Sequence, residues 1–213
     1  MKMQKSFRLL FVLIATLLFS WTSAQAQDGL STIMVTTIDG TIAPASQQYL
    51  ARAVQVAERQ NAEALILQLN TPGGSIATMT EMVQIIRASH VPVIVYITPS
   101  GGMAGSAGTI ITLAGHASAM APETIIGAAS PINSDGSDIG ETAKAKEIEA
   151  LKATVRTLTE RRGAEAIAIA EATIEEARAV SVNEAFEVGL IDFVASDLGD
   201  LLSQLDGFEV NIQ

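Results

Sequence analysis

The sequence contains no cysteine and only two histidines among its 213 residues. Without cysteine it can form neither a disulfide framework nor a thiolate metal site. His90 and His116 are the only imidazole groups, and no cluster of His, Asp and Glu has the spacing of a metal site. We therefore predict that the protein binds no metal, and none of its motifs implies a cofactor or ATP.

Basic residues are also scarce, and three of the thirteen lie at the extreme amino terminus. Lys2, Lys5 and Arg8 precede an apolar run at residues 9–19, and Ala-Gln-Ala follows at 24–26. This order is typical of a secretory signal peptide, and the apolar run is short for a membrane span. We predict a signal peptide at 1–26 that is removed after Ala26, with an uncleaved anchor as the alternative, and one exported domain at 27–213.

The exported chain would be strongly acidic. Removing the three amino-terminal cations leaves ten basic against 23 acidic residues, a net charge of about −13. Such a charge repels phosphate backbones and anionic lipid surfaces. The composition therefore argues against nucleic acid and anionic membrane surfaces as partners.

Aromatic residues make up only 4% of the chain, whereas small aliphatic residues are abundant. Three apolar runs at 31–38, 64–69 and 93–97 are each followed by a turn signal and a helical pattern, at 44–60, 76–88 and 104–113. Repeated strand–turn–helix units predict an α/β fold with a mainly parallel sheet, flanked by helices and joined by right-handed crossovers. Further helices are predicted at 141–162, 164–177 and 183–188, with a strand at 190–194. Binding sites in such sheets lie beyond the carboxyl ends of the strands.

Two glycine-rich turns leave the carboxyl ends of predicted strands. One is Asn-Thr-Pro-Gly-Gly-Ser at 70–75, and the other leads to Ser106 at the mouth of a helix. A serine at a helix start suits an acyl-transfer nucleophile, and the N–H groups of Gly73, Gly74 and Ala107 could form an oxyanion hole. Neither turn has a Walker lysine or a G-x-G-x-x-G pattern, so nucleotide binding ranks low. The structural alternative is that these small residues serve only helix–sheet packing.

Four motifs carry a resemblance to a known family: LNTPGG at 69–74, AGSAGT at 104–109, MAPETIIG at 120–127 and EAFEVGLID at 184–192. In order and spacing the chain, over roughly residues 31 to 205, resembles the protease domain of the NfeD-type membrane-bound serine proteases. These belong to the ClpP class and are also called stomatin operon partner proteins. The resemblance implies a ClpP/crotonase-like fold of repeated ββα/βα units and a homodimer. It also implies a serine–lysine peptidase that cleaves an apolar segment of a stomatin-like (SPFH-type) membrane protein. The predicted signal peptide implies an exported, periplasmic or otherwise extracytoplasmic location, and the likeness to membrane-bound proteases implies an association with a membrane.

The general base is the open part of this hypothesis. His116 lies ten residues beyond Ser106, across a helix of about 15 Å, and is interpreted as a histidine at a strand edge. The ClpP peptidases carry a histidine two residues before a proline, but the matching triplet here is Ala-Ser-Pro at 129–131. Among Lys144, Lys146 and Lys152, the family's pattern of a lysine opening the following helix falls on Lys146. Lys144 is the second candidate, and an ordinary solvated lysine is the structural alternative for both.

Two functions of different classes therefore remain. The first is an exported endopeptidase in which Ser106 attacks and Lys146 takes its proton; the second is a noncatalytic peptide-binding or assembly module on the same fold. An acyl-CoA enzyme of the crotonase type is a third, but it would not need the Ser106–Lys146 pair. The polar segment 133–140 is predicted to be a loop, and Asp192 is expected to be solvated.

Overall fold

Strands and helices alternate along the first half of the chain, as the apolar patterns predict. The computed structural model describes residues 32–132 and 140–212. The strands are β1 (Ile33–Asp39), β2 (Ala64–Asn70), β3 (Val93–Ile97), β4 (Met103–Gly105), β5 (Ala117–Met120), β6 (Ile125–Gly127), β7 (Ala179–Ser181) and β8 (Phe193–Val194). The helices are α1 (Pro44–Arg59), α2 (Ile76–Arg87), α3 (Ala107–Ala114), α4 (Glu141–Thr159), α5 (Ala164–Glu175), α6 (Val182–Glu187) and α7 (Leu198–Leu205), with a 3₁₀ turn at Glu160–Arg162.

The main sheet has the order β1-β2-β3-β5-β8, and every neighbouring pair is parallel. This confirms the predicted α/β fold with a mainly parallel sheet flanked by helices. The central strand β3 reads Val-Ile-Val-Tyr-Ile and is buried throughout, as expected of a parallel strand covered on both faces. Leu65 and Leu67 pack into the larger core cluster, whereas Ile66 and Tyr96 pack into a smaller cluster that includes Leu201 of α7.

A second, smaller sheet lies next to the glycine-rich turns, and it corrects one prediction. The helix expected from Ala104 begins only at Ala107, because Met103–Gly105 forms β4 in the sheet β4-β6-β7. Two hydrogen bonds with Thr71 hold β4 extended: Thr71 N–H donates to Met103 O, and Gly105 N–H donates to Thr71 O. Glycines are also poor helix formers. As a result, Ser106 lies in a turn between a strand and a helix.

The expectation that Asp192 is solvated is wrong. Its carboxylate accepts from the Arg162 guanidinium at 2.7 Å and from the Ser118 N–H at 2.8 Å. The Asp192 side chain is only 14% exposed, and the Arg162 side chain only 3%. This buried ion pair joins the end of the 3₁₀ turn to the amino end of β5 and to the start of β8. Arg162 and Asp192 are 30 residues apart in sequence, so no local sequence pattern predicts this ion pair.

From Thr32 onward, the described residues belong to one compact unit. None of the helices in 32–132 and 140–212 combines the length and the apolar character needed to cross a bilayer. The predicted signal peptide at 1–26 lies outside the described residues. So do residues 133–139 of the predicted polar loop.

Candidate functional site

Ser106 occupies the turn between β4 and α3 in an unusual backbone conformation. Its φ is 50° and its ψ is −117°, a region that residues with a side chain rarely adopt. Its N–H donates to Gly127 O at 2.9 Å, which ties the turn to β6. Although Ser106 is the N-cap residue of α3, its side chain makes no capping hydrogen bond. Within the described part of the chain its hydroxyl has no hydrogen-bond partner, so it is available for chemistry.

The second glycine-rich turn packs directly against this serine. A Cβ atom built on Gly73 would lie 2.6 Å from Ser106 Cβ and 3.1 Å from Ser106 Oγ. Both distances are shorter than ordinary van der Waals contact, and Gly73 has a φ of +118°. Only glycine therefore fits at this position. The structure brings the two turns together at the carboxyl ends of the strands, as the parallel topology predicts.

The N–H groups around Ser106 differ in availability. The Gly73 N–H donates to Thr71 Oγ1 at 3.0 Å, so the expectation that it could serve as an oxyanion donor is not met. In the described residues the Gly74 N–H has no acceptor, so it remains available as a donor. Ala107 is the first residue of α3, where a backbone N–H lacks an intrahelical acceptor. Two free donors, from Gly74 and Ala107, thus lie beside the Ser106 side chain in one cavity.

That cavity is small, about 40 Å³, and most of the residues that line it are apolar. Gly74, Ser106 and Ala107 line it together with Ala129, Ser130, Pro131 and five larger apolar side chains: Ile76, Met79, Ile110, Ile132 and Leu151. The Ser130 hydroxyl is used elsewhere, because it donates to Ile174 O at 2.6 Å. Ser75 caps α2 by accepting from the Thr78 N–H, so Ser106 is the serine with a free hydroxyl in this wall.

The lysines predicted from the sequence do not line the cavity. Lys146 is exposed, whereas Lys144 is half-buried. Because α-helical residues advance by about 100° each, Lys144 lies within about 20° of Leu151 on α4, and Lys146 lies about 140° away. Lys152 is excluded as a base, since its ammonium pairs with Glu175 Oε2 at 2.6 Å and this hydrogen bond raises its pKa. The structure thus brings Ser106, Gly74 and Ala107 together, and it places Lys146 outside that group.

His116 lies at the other end of the sheet. Its Nδ1 accepts from the Val93 N–H at 3.0 Å, where β3 begins, and the residue is buried. Burial, followed by the positive charges of Arg87 and Arg161, lowers its pKa. The prediction that His116 is a strand-edge residue rather than the base is confirmed. In the described residues, no group of three or more His, Asp or Glu side chains could hold a metal ion.

Two threonine hydroxyls of the site were not singled out in the sequence. Thr71 Oγ1 accepts from the Gly73 N–H, and Thr109 Oγ1 accepts from the Gly127 N–H at 3.0 Å while lying 2.9 Å from Ala104 O, to which it donates. Both residues are fully buried. The only available signal was their place in the motifs at 69–74 and 104–109, beside the residues that we did select.

The chain is similar in sequence to known proteins over almost all of its described length. Residues 32–213 match the family model described as "NfeD1b, N-terminal domain". The chain is 38% identical over 183 residues to the membrane-bound protease PH1510 of Pyrococcus horikoshii, covering 84% of this chain and 41% of that protein. It is 28% identical over 215 residues to the membrane protein NfeD1b of Bacillus subtilis, covering 96% of this chain and 48% of that protein. The chain thus spans less than half the length of these two relatives.

Solved structures show the same likeness. A serine-to-alanine variant of the 1510-N membrane-bound stomatin-specific protease superposes with a TM-score of 0.78 at 35% identity, over 86% of this chain and 88% of that one. A lysine-to-alanine variant in complex with a substrate peptide gives 0.77 at 35% identity, over 86% and 84%. ClpP1 from Listeria monocytogenes gives 0.63 at 19% identity, over 78% and 94%, which shows the ClpP-like fold alone. The alternating strands and helices, the serine turn and these matches together show that the chain belongs to the NfeD1b N-terminal domain family.

Proposed function

We propose that this domain is a serine endopeptidase in which Ser106 is the nucleophile. The observation that carries the proposal is the free Ser106 hydroxyl, held in a strained turn between two free backbone N–H groups. In this arrangement a peptide carbonyl carbon can approach Oγ while its oxygen approaches the Gly74 and Ala107 N–H groups. Donors already in place where negative charge develops stabilise the tetrahedral intermediate without reorganising.

The reaction is covalent acyl transfer. Ser106 Oγ forms a bond to the carbonyl carbon as its proton passes to a neutral lysine amine, and the protonated lysine then returns a proton to the leaving amine. Water, deprotonated by the same lysine, then attacks the acyl carbon; the ester bond to Ser106 Oγ breaks, and Oγ recovers a proton from the lysine as the second product leaves. Because only an uncharged amine can act as base, the lysine must lie close to the apolar wall of the cavity in the reacting complex.

We assign the base to Lys146, although the geometry of α4 offers a competing argument. In the solved relative, the serine and lysine replaced by alanine are 41 positions apart. Ser106 and Lys146 are 40 apart, and Ser106 and Lys144 are 38 apart. The exposure of Lys146, and the inward face shared by Lys144 and Leu151, favour Lys144. The Lys146 assignment requires the first turns of α4 to approach the cavity when substrate binds.

The substrate that we propose is an apolar segment of a stomatin-like (SPFH-type) membrane protein. The cavity wall supports an aliphatic side chain, because five of its lining side chains are large and apolar. A solved relative is named as a protease specific for a stomatin homolog from Pyrococcus horikoshii. We further propose that the domain is exported, works in the periplasm or an equivalent extracytoplasmic space beside a membrane, and forms a homodimer.

Hydrolysis of a library of apolar peptides by residues 27–213 tests the proposal. We expect Ser106→Ala and Lys146→Ala to abolish turnover, and Lys144→Ala to retain it. Thr159→Val serves as a matched control, because this buried threonine lies at the far end of α4, where its hydroxyl donates to Val155 O. Loss of turnover in Lys144→Ala but not in Lys146→Ala would transfer the role of base to Lys144. Turnover that survives Ser106→Ala would overturn the assignment.

The position of Lys146 supports a second candidate, a noncatalytic peptide-binding module. If neither lysine reaches Ser106, the same cavity would hold an apolar segment without cleaving it. Isothermal titration of an apolar peptide separates the two. A binding module would bind the peptide with unchanged affinity in wild type and Ser106→Ala, and wild type would not cleave it during prolonged incubation.

A further inference from the structure

We propose that the Thr71 hydroxyl is a positioning group that selects the Gly74 N–H as the oxyanion donor. Thr71 does not line the cavity and touches no reacting atom, so it would act only through the glycine turn. This inference rests on the proposed peptidase activity, in which the Gly74 N–H receives the developing negative charge.

Thr71 is held rigidly before it acts on the turn. The residue is fully buried, and its own backbone is bonded to β4 through Met103 O and the Gly105 N–H. Its side chain is also confined, because Thr71 Cγ2 lies 2.5 Å from where a Cβ on Gly108 would stand. The hydroxyl oxygen therefore occupies a defined place relative to β4, the strand that leads directly into Ser106.

The hydroxyl then fixes the Gly73 end of the turn. Thr71 Oγ1 lies 3.0 Å from Gly73 N, whose hydrogen it accepts, and 3.3 Å from Gly73 O, to which it donates. Gly73 O also accepts from the Ile42 N–H at 2.8 Å. Both polar groups of Gly73 are thus occupied, although the residue lies against Ser106.

The far end of the turn is fixed as well. The Ser75 N–H donates to Ile42 O at 3.0 Å, so the N–H groups on both sides of Gly74 have acceptors. Among residues 73–75, all of which the structure describes, only the Gly74 N–H has no hydrogen-bond acceptor. The Thr71 hydroxyl binds the Gly73 N–H, and Ile42 O binds the Ser75 N–H. The Gly74 N–H is therefore the donor that this turn offers to the cavity.

The two glycines explain why such a hydroxyl is needed. Gly73 and Gly74 have φ values of +118° and +157°, and glycine can adopt many other conformations at little energetic cost. Without the Thr71 hydroxyl the buried Gly73 N–H loses its acceptor and Gly73 O loses one of its donors, which loosens the Pro72–Gly73 peptide and, next to it, the Gly73–Gly74 peptide. A rotation of that peptide moves the Gly74 N–H away from the position of the oxyanion.

Steady-state kinetics of Thr71→Val and Thr71→Ser test this role. Valine keeps the shape of threonine but lacks the hydroxyl, whereas serine keeps the hydroxyl. Because an oxyanion contact strengthens mainly in the transition state, we expect Thr71→Val to lower kcat by about tenfold to a hundredfold with KM within about twofold. Thr71→Ser should stay within about threefold of wild-type kcat, and the control Thr159→Val should leave both constants unchanged.

A peptide aldehyde supplies a readout that a general loss of structure would not reproduce. Its adduct with Ser106 places an oxygen at the two donors, whereas the corresponding peptide alcohol forms no adduct. We expect Thr71→Val to weaken inhibition by the aldehyde by the same factor as kcat/KM, and to leave binding of the alcohol unchanged. Equal weakening of both compounds, or a rise in KM with unchanged kcat, would overturn the positioning role.

Amide hydrogen exchange tests the geometry without any activity. In the wild-type protein the Gly73 amide should exchange slowly and the Gly74 amide rapidly, and the protection of Gly73 should disappear in Thr71→Val but not in Thr71→Ser. Unprotected Gly73 in wild type would overturn the inference, even if Thr71→Val does not fold. Failure of the proposed function looks different: turnover would be absent from wild type or would survive Ser106→Ala, whatever Gly73 shows.

Discussion

The backbone strain at Ser106 predicts an unusual order of stability among variants at this position. With φ at 50° and ψ at −117°, any residue that carries a Cβ is strained there by about 1–3 kcal/mol. Glycine relieves this strain but gains about 0.5–1 kcal/mol of chain entropy in the unfolded state. We therefore expect Ser106→Gly to be more stable than Ser106→Ala by about 1 kcal/mol, since alanine keeps the strain and lacks the hydroxyl just as glycine does.

Thermal and urea denaturation of the two variants measure this difference. For a domain of this size, about 1 kcal/mol corresponds to a rise of about 2–4 °C in Tm. Ser203, which is exposed on α7, is the matched control, because it occupies an ordinary helical conformation. There we expect the reverse order, with Ser203→Gly about 1 kcal/mol less stable than Ser203→Ala. Both Ser106 variants should be inactive.

The strain argument is refuted if the alanine variant is the more stable of the two at both position 106 and position 203. If Ser106→Gly is no more stable than Ser106→Ala, the turn carries no strain that a side chain must bear. The nucleophile would then be held by its contacts alone, through the Gly127 O hydrogen bond and the packing of Gly73.

Three further predictions follow from other parts of the structure. Gly73→Ala should abolish peptide hydrolysis in the same assay while the protein stays folded by circular dichroism, because the new Cβ would lie 2.6 Å from Ser106 Cβ; near-normal turnover would contradict this. Asp192→Ala should lower the free energy of unfolding in urea by about 3–5 kcal/mol, because Arg162 would keep a buried charge without its partner, and a loss below about 1 kcal/mol would contradict it. Because burial lowers the pKa of His116 in the fold, the unfolded chain takes up a proton at this histidine at higher pH than the folded chain does. As the pH falls below about 6.5, the free energy of unfolding should therefore decrease by up to about 1.4 kcal/mol per pH unit. His116→Asn should show a smaller decrease between pH 7.5 and 5.5, and an unchanged slope would mean that His116 is protonated in the fold.

Local sequence patterns were sufficient to predict most of the strands and helices. The apolar strand at Val93–Ile97 has the bounds that its sequence predicts, and α1, α2 and α5 begin at the predicted residues. These elements depend on side-chain periodicity and on turn residues within a few positions of each other. The handedness of parallel crossovers then leaves few arrangements, so the meeting of the two glycine-rich turns could be anticipated.

The details of the site depended on partners that are distant in sequence. Thr71 and Met103 turn a predicted helical segment into β4, and the hydroxyl of Thr71 decides which glycine N–H stays free. The Arg162–Asp192 pair joins residues 30 positions apart. The exposure of Lys146 likewise depends on which face of α4 packs against the core. The sequence by itself determined the elements, their order and the candidate nucleophile, because these follow from short-range periodicity and backbone sterics. Only the tertiary structure decided which polar groups near Ser106 are occupied and which are free, because that depends on hydrogen bonds between segments that meet only in the folded chain.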